Sequence, residues 1–225
     1  MAGKSLVDEA DGSSLVDPGP ARAIDGTLYI MRHGATAMDM GANRSDGWLD
    51  MPLTDEGRME LIQAQQILKT VPITCIYTSN LRRTEETAAI IKSGTLSDPD
   101  IEVAPEARTW NLGVLAGLRK EDGRPKVKQL KLNPNTRPLG GESFNEFKGR
   151  FLPWFYEQAE EVEESGEAVL LILSGSCLRI IGTEMFGDES AADLDEGGLA
   201  ALHCAKGQWH IEVMLGHEDA SPYES

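Results

Sequence analysis

Short apolar runs alternating with stretches of helical periodicity constrain this chain more than any other feature. TLYIM (Thr27 to Met31), bounded by Gly26 and Arg32-His33-Gly34, reads as a buried central strand. In the following LTDEGRMELIQAQQIL, Thr54 is placed to cap a helix that carries Leu61, Ala64, Ile67 and Leu68 at helical spacing, and ITCIY then makes a second strand. Arg83 to Ile91 repeats the helical pattern, with Ser79 placed to cap its start. Ser143 to about Glu164 reads as a helix with Phe144, Phe147, Phe151, Trp154 and Phe155 along one side, and Pro153 should bend or restart it. AVLLIL (Ala168 to Leu173) is the most apolar strand, and a Gly-Ser turn leads from it to a helical stretch from Leu178 to about Phe186. Leu199 to Cys204 and Trp209 to Leu215 look like a closing hairpin.

This alternation predicts an α/β fold, a three-layer sandwich with a mostly parallel central sheet, and sheets of that kind bind ligands at the carboxyl ends of their strands. Three polar clusters, RHG, SNLRRT and SGSCLR, each follow a predicted strand, so they can converge in space. Residues 1–26 lack a sustained apolar period and read as a flexible leader before a single domain over 27–225. Within that domain, about 104–141 holds four prolines and several glycines with little periodicity, which suggests an irregular lid or pocket rim.

Composition removes several function classes. The 37 Asp and Glu against 21 Lys and Arg give a formal charge of −16, which repels nucleic acids and anionic membranes, so an anionic ligand needs a local basic pocket. Cys75, Cys177 and Cys204 lack CxxC spacing and histidine partners, so neither a zinc site nor a disulfide framework is suggested and the thiols read as reduced. No apolar run is long enough to span a bilayer, and the expectation is a cytoplasmic protein. Aromatic content is too low to argue for an oligomeric interface.

The sharpest chemistry lies in Arg32-His33-Gly34, because a buried Arg or His at a strand end is costly unless it meets an anion or a carboxylate. RHGAT is followed by Arg44, Gly47, Asp50, Pro52-Leu53-Thr54 and Gly57, then by SNLRRTEETA, PLGGESFNEFKGRF and LILSGSCLR, in that order. This succession resembles the histidine phosphatase superfamily, the phosphoglycerate mutase-like fold, from about Thr27 to the C-terminal hairpin. The resemblance implies that His33 is a nucleophile forming a phosphohistidine and that Arg32 and Arg83 grip the phosphoryl oxygens. It also implies secondary phosphate or rim contacts at Arg44 and Thr36, a carboxylate at Glu142 that orients a pocket arginine, and a substrate that is a small phosphorylated metabolite, with no metal or other cofactor.

Two positions depart from the family pattern. Ser174 stands where a second histidine helps to form the phosphate pocket, with Gly175 and Arg179 fitting the surrounding turn. Thr109 stands where the general acid glutamate falls, and Asn111 replaces the Asp of a variant pattern, which leaves Glu106, Glu121 and Asp122 as acids. Asp39 adds a negative charge that either weakens anion binding or faces solvent. His203, His210 and His217 are expected to be structural or exposed. Two functions stay open: a phosphomonoester hydrolase of altered efficiency, and a pseudoenzyme that binds a phosphorylated ligand or partner. Ser174 can equally be an adapted or engineered change in an otherwise ordinary enzyme.

Overall fold

The computed structural model describes residues 26–40, 43–205 and 208–216. Its sheet has the order β3-β2-β4-β1-β5-β6, where β1 is Thr27–Arg32, β2 Ile73–Thr78, β3 Asp100–Val103, β4 Ala168–Leu173, β5 Leu199–Ala205 and β6 Gln208–Leu215. β1 and β4 pair in parallel, as do β2 with β4 and β2 with β3, whereas β5 and β6 run antiparallel and close one edge. The expected three-layer α/β sandwich is therefore what the chain forms.

The two-residue period of the central strands explains the layers. Leu28, Ile30, Leu171 and Leu173 pack into one core with Phe147, Phe151 and Phe155 of α4 (Phe144–Ser165) and Leu178 and Ile181 of α5 (Gly175–Phe186). Tyr29, Met31, Leu170 and Ile172 point the other way, against Leu61 and Leu68 of α1 (Asp55–Leu68) and Ile91 of α2 (Arg82–Gly94). Each such side chain contributes about 1.5–3 kcal/mol by leaving water, so β1 and β4 must be covered on both faces.

Capping chemistry sets the helix starts. Thr54 caps α1 as expected, its hydroxyl accepting from the Gly57 amide at 3.0 Å, and Ser143 with Glu146 forms a reciprocal capping box on α4. Ser79 does not cap α2: Leu81 is the cap residue, and the Ser79 hydroxyl instead accepts from the Leu81 amide and pairs with Thr84 at 2.8 Å. Pro153 neither restarts nor splits α4, which runs unbroken through it. α5 begins at Gly175, three residues before Leu178.

Two elements were not anticipated. The edge strand β3 carries only four residues, all exposed, so it lacks the apolar run that reveals a strand. The segment 104–141 is not irregular throughout: α3 (Lys120–Leu132) lies inside it, despite Pro125, flanked by loops and short 3-10 turns at Pro105–Ala107 and Gly113–Leu115. The flexible leader expected at 1–26 falls, apart from Gly26, outside the described residues, as does His217.

Candidate active site

Parallel pairing of β1 with β4 brings the RHG and SGS turns to one end of the sheet, where the His33 amide donates to the Leu173 carbonyl at 3.1 Å. Backbone closeness fixes the RHG turn. A Cβ on Gly34 would stand 2.4 Å from the Gly57 carbonyl oxygen, and one on Gly57 would stand 2.2 Å from that of Ala35, so the turn and the first turn of α1 touch main chain to main chain. Beside this turn opens a cavity of about 1050 Å³ lined by Arg32, His33, Arg44, Arg83 and Gly175 among others. It gathers nine of the chain's 21 Lys and Arg against seven of its 37 Asp and Glu, so it is locally positive in a chain that is strongly acidic.

His33 is held in one chemical form. Its Nδ1 lies 2.9 Å from the Gly34 carbonyl oxygen, which can only accept, so Nδ1 carries the proton. Nε2 then holds the lone pair, and Arg83 Nε donates to it at 3.1 Å. Burial first, then the charges of Arg83 and Arg32, push the His33 pKa down to about 3. A neutral imidazole with its lone pair on Nε2 is competent as a nucleophile once an entering anion draws the Arg83 Nε–H off that lone pair.

Arg83 is fully buried, with its terminal nitrogens donating to the carbonyls of Leu49 and Gly47, both at 2.9 Å. A guanidinium has five N–H donors, so one remains on each terminal nitrogen for an anion. Arg32 is more contested. Its guanidinium donates to the Leu194 carbonyl at 2.9 Å, makes a short contact with Glu196, lies 3.9 Å from Asp39, and has a buried Nε with no hydrogen-bond partner among the described residues. Asp39 thus points inward, where Thr36 donates to it through both amide and hydroxyl, and its pKa is lowered although burial works against that. Burial raises the pKa values of Glu196 and of Asp46, the latter opposed by Arg83.

Not every expected residue reaches the cavity. Arg44 lines it and donates to the Gly117 carbonyl at 2.6 Å, and Gly175 lines it too. Thr36 is wholly buried and does not line the cavity, its hydroxyl engaged with Asp39 and Asp46 at 2.9 Å each. Ser174 caps α5 without a side-chain capping bond and does not line the cavity, whereas Gly175 and Ser176 in the first turn of α5 do. Glu142 does orient an arginine, but that arginine is Arg150, outside the cavity; the carboxylate takes Nε and a terminal nitrogen at 3.0 and 2.7 Å.

The positions of the missing acid are equally defined. Thr109 lines the cavity with its hydroxyl 2.5 Å from that of Ser176, and Asn111 accepts from the Gly113 amide instead of facing a ligand. Glu106, Glu121 and Asp122 do not line the cavity. The carboxylates that do include Asp39, Asp46 and Glu196, which sequence reasoning passed over as site residues, Asp46 and Glu196 among 37 acidic residues with nothing to mark them. His203 and His210 face each other across the β5-β6 ladder, away from the site. Among the described residues, no group of three or more His, Cys, Asp or Glu could hold a metal ion, and no helix is long and apolar enough to cross a membrane.

A mixed sheet with parallel central strands covered on both faces and a positively lined cavity at their ends defines an α/β protein of the class that binds ligands at strand carboxyl ends. Residues 28–215 match the sequence profile of the histidine phosphatase superfamily (branch 1), and the chain belongs to that family. A 2,3-bisphosphoglycerate-dependent phosphoglycerate mutase 2 of Gloeobacter violaceus is 32% identical over 165 residues, covering 70% of this chain and 74% of that protein. In fold, the chain is similar to a phosphoglycerate mutase from Bacillus anthracis, with a TM-score of 0.72 at 20% identity over 84% of this chain and 92% of that one. It is similar also to a mycobacterial glucosyl-3-phosphoglycerate phosphatase, with a TM-score of 0.68 at 22% identity over 85% and 99% of the two chains. These relatives are mutases and phosphatases named for phosphorylated metabolites.

Proposed function

We propose that this chain hydrolyses the monoester of a small phosphorylated metabolite through a phosphohistidine at His33. The Nε2 lone pair attacks phosphorus, the ester P–O bond breaks, and the leaving oxygen takes up a proton. Water then attacks the phosphohistidine, which releases inorganic phosphate and returns the lone pair to Nε2. Arg83, with its two uncommitted N–H donors, and Arg32 hold the phosphoryl oxygens as charge rearranges. The observation that carries the reading is the neutral His33 whose Nε2 meets Arg83 inside the basic cavity.

Glu196 can protonate the leaving oxygen: it lines the cavity, burial raises its pKa, and an entering phosphate that takes Arg32 from it removes the cation that favours its ionised form. Ser174 contributes no charge, which by loss of a charged contact lowers the rate by about two orders of magnitude relative to a histidine. Cys75, Cys177 and Cys204, none of them in a disulfide among the described residues, suit a reducing, cytoplasmic setting.

Phosphate release from sugar, nucleotide and aryl phosphates, compared between wild type and His33→Ala, tests the proposal. Turnover lost in the variant supports it, and equal rates in both would sink it. The hydroxyl pair of Thr109 and Ser176, where an acid would stand, favours a second reading, a phosphate-ligand-binding pseudoenzyme. Under that reading, wild type turns nothing over while Ser174→His with Thr109→Glu restores turnover.

A further inference from the structure

The cavity has two basic poles. One is the Arg32, His33 and Arg83 set at the strand ends, and the other is α3, whose Lys120, Arg124, Lys128 and Lys131 line the cavity at spacings of one helical turn. The charges on α3 are sorted: Glu121 and Asp122 do not line the cavity, whereas four of its five cations do. Lys120 lies 3.7 Å from Asp39 and Lys131 is 2.7 Å from Glu189, but Arg124 and Lys128 have no ion-pair partner among the described residues. In a chain with 37 carboxylates, two adjacent unpaired cations on one face are unexpected, because like charges one turn apart weaken a helix.

Part of the cavity wall is apolar, formed by Val127 and Leu132 of α3, Phe144 of α4 and Ile180 of α5. A cavity of about 1050 Å³ also far exceeds what a phosphoryl group and a few carbons fill. We propose that Arg124 and Lys128 form a distal anion subsite, so that the preferred ligand is an extended phosphate ester with an apolar body along Val127, Phe144 and Ile180 and a second anionic group at its far end. This rests on the phosphatase reading for the reaction, though not for the binding.

The test uses biphenyl-4-yl phosphate and its 4′-carboxy derivative, with 3-phosphoglycerate as a short diacid. In wild type the carboxy derivative is favoured over its parent in kcat/KM by about tenfold, mainly through KM, as two solvent-facing ion pairs supply. In Arg124→Gln/Lys128→Gln that ratio falls to about one, and in Arg124→Glu/Lys128→Glu it inverts. A wild type that shows no preference, a preference untouched by either double variant, or 3-phosphoglycerate favoured over the carboxy derivative overturns the subsite. Calorimetric binding of the same biphenyl pair to His33→Ala, with and without the double variants, makes the comparison independent of turnover. A wild type that hydrolyses none of these esters, while the binding preference still depends on Arg124 and Lys128, would refute the phosphatase reading and leave the subsite standing.

Discussion

Arg83 Nε donates to His33 Nε2 at 3.1 Å, while the opposite ring nitrogen of His33 lies 2.9 Å from the Gly34 carbonyl. These partners leave the proton on Nδ1 alone, and burial first, then the charges of Arg83 and Arg32, keeps His33 neutral down to about pH 3. The unfolded chain protonates this histidine near its ordinary pKa of about 6.5, and the folded chain does not. In that window the unfolded state binds the extra proton, so stability rises with pH and falls on acidification. Relative to His33→Gln, wild type should lose about 1.4 kcal/mol per pH unit below pH 6.5. Urea denaturation of both proteins from pH 7.5 to 5 reads this directly, and a constant difference between them would contradict the assigned neutral state.

Arg32 is shared between Glu196 and Asp39, so an entering dianion competes with the protein's own carboxylates. Glu196→Gln removes one competitor, and sulfate affinity at pH 7.5 should rise by about tenfold, near 1.4 kcal/mol. Sulfate keeps its charge across the range, so the pH dependence belongs to the protein. Because burial raises the Glu196 pKa, protonation on acidification frees Arg32, and wild-type affinity should climb as pH falls from 7.5 to 5. In Glu196→Gln the climb shrinks to what Asp46, also raised, still contributes. Isothermal calorimetry at three pH values separates these outcomes, and equal slopes in both proteins would exclude Glu196 as the competitor.

What the sequence revealed depended on how strongly each element must bury apolar surface. β1 and β4 were legible because both of their faces are apolar, and Arg32, His33 and Arg83 because charged groups at the ends of such runs need a purpose. β3 was not legible, because an exposed edge strand reading Asp-Ile-Glu-Val gains its identity from pairing with β2 and from nothing local. α3 was hidden by Gly123 and Pro125 and by having only Gly123 and Leu130 buried. The carboxylates on Arg32 depend on tertiary turns: hydrogen bonds from the Gly197 amide to the His33 carbonyl, and from the Arg32 amide to the Gly198 carbonyl, set Glu196 in place across the β1-β5 junction.

Arg150 uses all five of its N–H donors. Two reach the Glu142 carboxylate and three reach the carbonyls of Glu106, Arg108 and Thr109, at 2.7 to 3.0 Å. The side chain ties α4 to the loop that presents Thr109 to the cavity. A lysine keeps the charge but cannot serve a carboxylate and three carbonyls in that planar arrangement, so Arg150→Lys should destabilise the fold by about 2–4 kcal/mol. Chemical denaturation checks this, and a loss under about 1 kcal/mol would mean that the loop finds other partners.

Gly57 and Gly149 both lie inside helices, yet the same substitution should move stability in opposite directions. Gly→Ala in a helix ordinarily gains up to about 1 kcal/mol because alanine orders more readily. Around Gly149 in α4 no atom of the described residues lies within 4 Å of an added Cβ, so Gly149→Ala should show that gain. At Gly57 the added carbon would meet the Ala35 oxygen at 2.2 Å and the Ala35 nitrogen at 2.6 Å, both main-chain atoms that cannot swing aside. Gly57→Ala therefore forces α1 away from the RHG turn and should cost about 2 kcal/mol or more despite its better helix propensity. Because that turn also carries His33, displacement should lower kcat for any phosphate ester the protein hydrolyses, with Gly149→Ala as the unperturbed control. Thermal denaturation of the two variants side by side decides the matter: a stabilised Gly57→Ala would show that the turn and α1 are not held in main-chain contact.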